Sequence, residues 1–302
     1  MTATTTTSRV EPTLASRGGA GGPTHVLGHR PIGRILVDMG KLKPKDVDRV
    51  FAAHRERGMR FGEAARSLRL VKEADVEQAR PVQFNYPYLR GGQSALSPEL
   101  VAAHDPFAPQ AEQLRDLRTQ LLLHWVSVDC KVLAVVSPEP GDGRSFLAAN
   151  LAVVFAQLGE NTLLIDADLR RPRLHRLFGH GNGPGLAQVL SGRIGIDAAE
   201  RVSYFDGLSL LSAGAAPPNP LELLSRQTLG TLLDEARRRF KIVLIDTPAS
   251  SRCSDARITA TRADGVLVVA RQDRTRLAEL DRLCRVMRTS GARVTGTVLN
   301  RA

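Results

Sequence analysis

The run Val132-Leu-Ala-Val-Val-Ser137-Pro-Glu-Pro140-Gly141-Asp142-Gly143-Arg144-Ser145-Phe146 constrains the fold more than any other part of the chain. Its apolar start predicts a strand, its glycines a tight turn, and the Leu-Ala-Ala-Asn-Leu-Ala that follows a helix beginning at once. A strand, turn and helix in that order aim several backbone N–H groups and a helix N-terminus at one point, which is how nucleotide phosphates are held. Against the pattern G-x-x-x-x-G-K-[ST], Pro138 stands at the first glycine and Arg144 at the lysine. Arginine keeps the positive charge but replaces a compact ammonium by a broad planar fork. The loop therefore predicts nucleotide binding ahead of ordinary catalytic speed.

Two further apolar runs end in carboxylates. Thr162-Leu-Leu-Ile-Asp166-Ala-Asp168-Leu-Arg170-Arg171-Pro172 comes after a helix stop at Gly159, and Ile242-Val-Leu-Ile-Asp246-Thr247-Pro248 comes later. Buried parallel strands deliver such residues to the carboxyl edge of a sheet, where ligands bind. Magnesium takes hard oxygen ligands and keeps several waters, so one or two carboxylates with Ser145 and phosphate oxygens complete its shell. One aspartate alone reads equally as a turn or helix-cap residue. Three strand ends in chain order point to a nucleotide–magnesium site.

The 302 residues suffice for one large α/β core and a small accessory domain. No apolar run is long enough to span a bilayer, and the Thr-rich start has no signal-peptide pattern. Cys130, Cys253 and Cys284 are widely spaced and near apolar segments, as expected of reduced thiols in a cytoplasmic protein. The net charge of +11 is mainly arginine, scattered through helices with few aromatics between. That pattern suits a solvated basic surface or recruitment to an anionic leaflet, and not nucleic acid.

Residues 1–28, rich in Thr, Ser and Gly, are expected to be a disordered tail. Residues 29–90 form a small helical domain with a faint internal repeat. Gly33 is followed by Leu36, Val47, Phe51 and His54; Gly62, 29 residues on, is followed by Ala65, Val76, Arg80 and Gln83 at the same offsets. Residues 91–106 read as a linker. Residues 107–302 form an α/β domain: a helix over about 109–125, then strands near 132–137, 162–166, 208–212, 241–246, 265–270 and 294–299 separated by helices or loops. This alternation predicts a doubly wound parallel sheet, a P-loop domain, beside the small helical one. The run Gly179-His-Gly181-Asn-Gly183-Pro-Gly185 has no strand before it and reads as a mobile loop.

With these residues in view, 107–302 resembles the bacterial tyrosine kinases of capsule and exopolysaccharide synthesis, in the broad class of the septum-site and partition ATPases. Ser137 to Ser145 looks like the Walker A loop of that family, Leu164 to Pro172 like its second acidic motif, and Val243 to Pro248 like its Walker B strand. Pro217 to Ser225 is similar to a segment that precedes Walker B. Glu112, Arg115 and Arg118 match the E-x-x-R-x-x-R helix by which such kinases assemble rings. Their spacing alone suits an intrahelical surface pair just as well. The family usually has lysine at Arg144, a second proline at Ala249, and a tyrosine-rich tail phosphorylated in trans. This sequence ends Val298-Leu-Asn300-Arg-Ala302 and has three tyrosines, Tyr86, Tyr88 and Tyr204, so another protein is the expected acceptor.

The resemblance implies ATP and Mg2+ as cofactors. Pro140 to Phe146 cradle the phosphates, with Arg144 on the β- and γ-phosphates. Ser145, Asp168 and Asp246 hold the metal, Asp166 accepts the proton of the acceptor tyrosine, and Asn300 meets the adenine. Asp166 and Asp168 are open to exchange of roles. It also implies a homo-oligomer and a location peripheral to the inner membrane, through a separate membrane polysaccharide chain-length regulator that acts as activator. A second function is an ATP-binding oligomerisation switch with little phosphotransfer. Residues 29–90 resemble the N-terminal domain of type II secretion and pilus ATPases, some of which bind cyclic di-GMP through tandem motifs with glycine and glutamine. Here Arg60-Phe61-Gly62 and Gln83 are kept, while Arg69 replaces a glycine and Arg30 is displaced by one place from its expected distance to Gly33. Cyclic di-GMP binding and docking of a partner protein are the two readings of this domain.

Overall fold

The computed structural model describes residues 32–83, 95–127 and 129–301. Tyr86, Tyr88, Arg30, the tail 1–28 and residues 91–94 lie outside the described residues. The chain divides into two compact units, Met1–Phe84 and Asn85–Ala302, taken here one at a time.

The first unit contains α1 (Ile32–Asp38), α2 (Val47–Arg57), α3 (Phe61–Ser67) and α4 (Glu73–Gln83). Leu36, Val50, Phe61, Ala65 and Val76 are among its buried residues. The 29-residue repeat is visible in the backbone. Lys41 N–H donates to Leu36 O (2.9 Å), and Leu70 N–H donates to Ala65 O (3.0 Å) at the same offset. Gly40 (φ 69°) and Arg69 (φ 54°) are likewise equivalent, so Arg69 holds a left-handed conformation in which glycine is at ease. A Cβ on Gly33 would come within 2.7 Å of the Phe61 ring, and one on Gly62 within 2.7 Å of Val76. Gly33 thus lets α1 approach the start of α3, and Gly62 lets α3 approach α4.

The second unit is built on a seven-stranded sheet in the order β3-β4-β2-β5-β1-β6-β7. The strands are β1 (Val132–Val136), β2 (Thr162–Asp166), β3 (Glu200–Arg201), β4 (Leu208–Leu211), β5 (Ile242–Asp246), β6 (Gly265–Arg271) and β7 (Val294–Asn300). All pairings are parallel except that of β3 with β4. Successive side chains point to opposite faces. Leu133, Leu164, Leu244 and Leu267 accordingly share one core, while Val132, Leu163, Val243 and Ile245 share another. Burial on both faces is why these strands read as unbroken apolar runs. The first core is covered by α5 (Val101–His104), α6 (Pro109–His124), α7 (Arg144–Gln157) and α8 (Leu174–Leu177). The other face carries α9 (Leu186–Leu190), α10 (Pro220–Ser225), α11 (Gln227–Arg239), α12 (Asp255–Arg262) and α13 (Leu277–Thr289).

The described part of 91–106 differs from an open linker. Leu96, Leu100, Ala102 and Ala103 are in the core, and two buried amides of α7 hold the segment down. Asn150 accepts from Ala102 N–H (3.1 Å) and donates to Glu99 O (2.9 Å), while Gln157 donates to Ala102 O (2.9 Å). The glycine-rich run 179–185 is a loop, tied by Asn182, whose side chain donates to Gly214 O (2.9 Å). No helix among the described residues is long and apolar enough to cross a membrane.

Candidate nucleotide site

β1 ends at Val136 and α7 begins at Arg144, so the predicted turn spans 137–143. Gly141 (φ 87°) and Gly143 (φ 104°) both take the left-handed region, and a Cβ on Gly143 would lie 2.2 Å from Asn300 Nδ2. Only glycine fits there. The carbonyls of the turn are pinned from outside. Asn300 Nδ2 donates to Asp142 O (3.1 Å), Arg271 Nη1 to Gly141 O (3.2 Å), and Arg274 Nη2 to Pro140 O (3.1 Å). Asp142 is fully buried and faces inward, accepting from Glu139 N–H (2.8 Å) and from the Thr275 hydroxyl (2.8 Å). Its side chain braces the loop from beneath. The first N–H groups of a helix have no intrahelical acceptor, and at α7 they open on a cavity of about 620 Å³.

Pro140, Gly141 and Gly143 to Phe146 line that cavity, with Asp168 and Asn300 opposite. Asp142, Asp166 and Asp246 do not line it. Arg144 is folded under the loop and is only 8% exposed. Its Nε donates to Thr247 O (2.8 Å), and its Nη1 donates to Glu139 O (2.9 Å) and to the Ser137 hydroxyl. This fork ties the end of β1 to the end of β5, which a lysine with one ammonium would not do in the same way.

Asp166 and Asp246 are register partners on β2 and β5, and both are buried. Asp166 accepts from the backbone N–H of Asp168 (3.2 Å), Arg173 (3.0 Å) and Leu174 (3.0 Å), so it fixes the connection that leaves β2. Burial, then the charge of Asp246, raise its pKa above the ordinary carboxylate range. Asp246 is also raised by burial, against the opposing charge of Arg144 and the nearby Ser145 hydroxyl. Neither oxygen of Asp246 has a hydrogen-bond partner of ordinary geometry among the described residues. A bare buried carboxylate beside a serine hydroxyl, with Asp168 on the wall above, is a hard-oxygen donor set that fits magnesium. No cluster of three His, Cys, Asp or Glu side chains among the described residues closes a cage of its own.

Glu112, Arg115 and Arg118 lie on α6 as expected, and both arginines make bonds within the chain. Arg115 pairs with Glu112 and donates to Pro106 O, and Arg118 Nη1 donates to Val154 O (2.9 Å) at the end of α7. Glu112 is the exposed member, at 64%.

Comparison with known proteins follows the same residues. The model of the family described as cellulose biosynthesis protein BcsQ matches residues 130–288. The tyrosine-protein kinase YwqD of Bacillus subtilis is 35% identical over 207 residues, 68% of this chain and 87% of that protein. The chain belongs to the bacterial tyrosine-protein kinases. Wzc of Salmonella typhimurium is 34% identical over 202 residues, 67% of this chain but 28% of Wzc. The chain therefore spans little more than a quarter of the length of Wzc. The kinase domain of the Escherichia coli tyrosine kinase ETK superposes with a TM-score of 0.66 at 30% identity, covering 70% of this chain and 83% of that domain. The fold class and the kinase family expected of 107–302 are both met.

The motifs did not foretell three features of the site. Arg170 makes a two-point ion pair with Asp255 (2.8 and 3.3 Å), at the start of α12. Arg271, the last residue of β6, and Arg274, from the turn after it, clamp the phosphate loop. Arg252, from the connection after β5, joins the cavity wall. All of them follow strands that end at the same sheet edge, which was the available signal.

Proposed function

We propose that the chain is an ATP-dependent protein-tyrosine kinase whose triphosphate lies along 140–146. The observation that carries this reading is the buried Asp246 carboxylate set against the Ser145 hydroxyl at the N-terminus of α7. Gly141, Gly143 and the N–H groups of the first turn of α7 take the β- and γ-phosphates, with Arg144 beside them. Ser145, Asp168 and Asp246 hold magnesium, which when bound neutralises charge developing on the transferred phosphoryl group. The acceptor tyrosine oxygen forms a bond to the γ-phosphorus as the bond to the β–γ bridging oxygen breaks, and the phenolic proton passes to a carboxylate. Asp166 takes that proton: burial strengthens it as a base. Asn300 meets the adenine from the end of β7.

Two variants separate the roles. Asp166→Asn should leave Mg·ATP affinity nearly unchanged and lower phosphotransfer by about 10²–10⁴. Asp168→Asn should weaken Mg·ATP binding itself. The opposite pattern exchanges the two assignments, and wild-type behaviour in both variants contradicts the site.

The wider setting is regulation of exopolysaccharide chain length and export, with a membrane chain-length regulator as activator, a homo-oligomer joined through the Glu112 flank, and a location at the inner membrane through that partner. The N-terminal unit is a docking module, with cyclic di-GMP sensing as its second reading. An ATP-driven oligomerisation switch with little phosphotransfer is favoured by one observation: Arg144 is engaged by Thr247 and Glu139 and is not free to follow a moving phosphoryl group.

A further inference from the structure

We propose that the cavity wall beyond the phosphate loop is a docking site for an acidic polypeptide segment, so that the tyrosine presented there is flanked by aspartate or glutamate. The word tyrosine rests on the kinase reading above; the preference for an acidic segment stands on charge.

Six arginines line the cavity, Arg144, Arg170, Arg171, Arg173, Arg252 and Arg271, against the carboxylates of Glu99 and Asp168. Four are already engaged. Arg144 is held by Thr247 O (2.8 Å), Arg170 by Asp255 (2.8 Å), Arg271 by Gly141 O (3.2 Å), and Arg173 by Glu99. Arg171 and Arg252 differ. Arg171 bonds through its backbone N–H to Asp168 (2.9 Å), and Arg252 through its own to Ala249 O (3.1 Å). Neither guanidinium meets an acceptor among the described residues.

The two leave from the connections after β2 and β5, the neighbouring strands that end in Asp166 and Asp246. Their charge is thus placed beside the point where a hydroxyl must enter. A triphosphate is already met by the first turn of α7, Arg144 and magnesium, so these two cations are surplus to it. Two exposed arginines on a flat surface would be solvated and of no consequence. In a concave wall where six arginines outnumber two carboxylates, the field is focused and attracts negative charge. Guanidinium forks recognise carboxylates at two points, and a peptide offers carboxylates at side-chain spacing. A single-stranded nucleic acid would need stacking surfaces, and Phe146 is the one aromatic side chain in the lining.

The test uses the full chain loaded with magnesium and a non-hydrolysable ATP analogue. Fluorescein-labelled peptides carry a central phenylalanine, which cannot accept phosphate, between flanks of glutamate or of glutamine. Fluorescence anisotropy should give the glutamate peptide about tenfold or greater advantage, shrinking as salt is raised. Arg171→Ala with Arg252→Ala should remove that advantage while nucleotide affinity changes by less than about twofold. Equal binding of the two peptides, or an unchanged advantage in the double variant, overturns the proposal. A parallel loss of nucleotide affinity overturns it too and assigns the arginines to ATP. Equal displacement by an oligonucleotide overturns the assignment to polypeptide. The same glutamate peptide with tyrosine at its centre, offered with Mg·ATP, tests the kinase reading apart: binding without phosphate incorporation contradicts that reading and leaves the docking site standing.

Discussion

Asp246 carries opposite consequences for folding and for ligand binding. Buried next to Asp166, it costs the free protein stability whenever both are charged. Their folded pKa values are raised above the unfolded ones, so this cost is absent at acid pH, and stability is lost as pH rises through the folded values. Asp246→Asn should therefore raise the Tm of the free protein near neutral pH while weakening Mg·ATP binding by about tenfold or more. A lower Tm with unchanged binding would contradict its place in the site. By the same linkage, magnesium and ATP must displace a proton held by the pair. Calorimetry in buffers of different ionisation heat should detect net proton release, greatest below the raised values; its absence would contradict the shift. Arg144→Ala leaves Thr247 O without its donor and should weaken Mg·ATP by about tenfold or more, whereas Arg144→Lys should retain or raise phosphotransfer. Equal activity in all three proteins would mean that the loop does not hold the phosphates. The loop and the two strand-end aspartates, Asp166 and Asp246, were legible because each ends an apolar run. The inward turn of Asp142 and the tie from Arg170 to Asp255, 85 positions away, were not, because such partners exist only after folding.

Elements were legible where burial is two-sided. β1, β2 and β5 were expected within a residue of their ends, since a strand buried on both faces leaves no polar alternation to mistake. β3 was missed: its two residues, Glu200 and Arg201, are exposed, and their pairing depends on β4. α5 was missed for another reason, since its hold on the core comes from Asn150 and Gln157 rather than from its own sequence. Asn150→Leu would leave the Ala102 N–H unsatisfied and should cost about 1–3 kcal/mol, read as a lower urea midpoint; an unchanged midpoint would show that α5 is not held this way. At α6, changing Glu112, Arg115 and Arg118 to alanine keeps helix propensity but removes the one exposed charge and the tie to Val154. Light scattering with Mg·ATP should then show loss of any assembly formed by the wild type, and assembly equal to wild type would contradict the role of this flank.

For the whole molecule, the net charge of +11 was read as a solvated basic surface, yet part of it gathers at the sheet edge where an anion is expected. Scattered sequence positions hide such a cluster until strand ends bring it together. The first unit raises a separate question. Its duplicated hairpins repeat the same turn bonds, but Arg69 occupies a left-handed position equivalent to Gly40. The account expects no saturable heat on titrating cyclic di-GMP into the full chain; micromolar binding would make this unit a sensor instead of a docking module. The central claim is phosphotransfer to tyrosine. It is tested most directly by incubating the full chain with γ-labelled ATP, magnesium and the cytoplasmic segment of the proposed chain-length regulator, and by reading phosphotyrosine on every protein present. Label on tyrosine that appears with wild type and is lost with Asp166→Asn is the predicted result; tight Mg·ATP binding with no phosphotyrosine on any protein would contradict it.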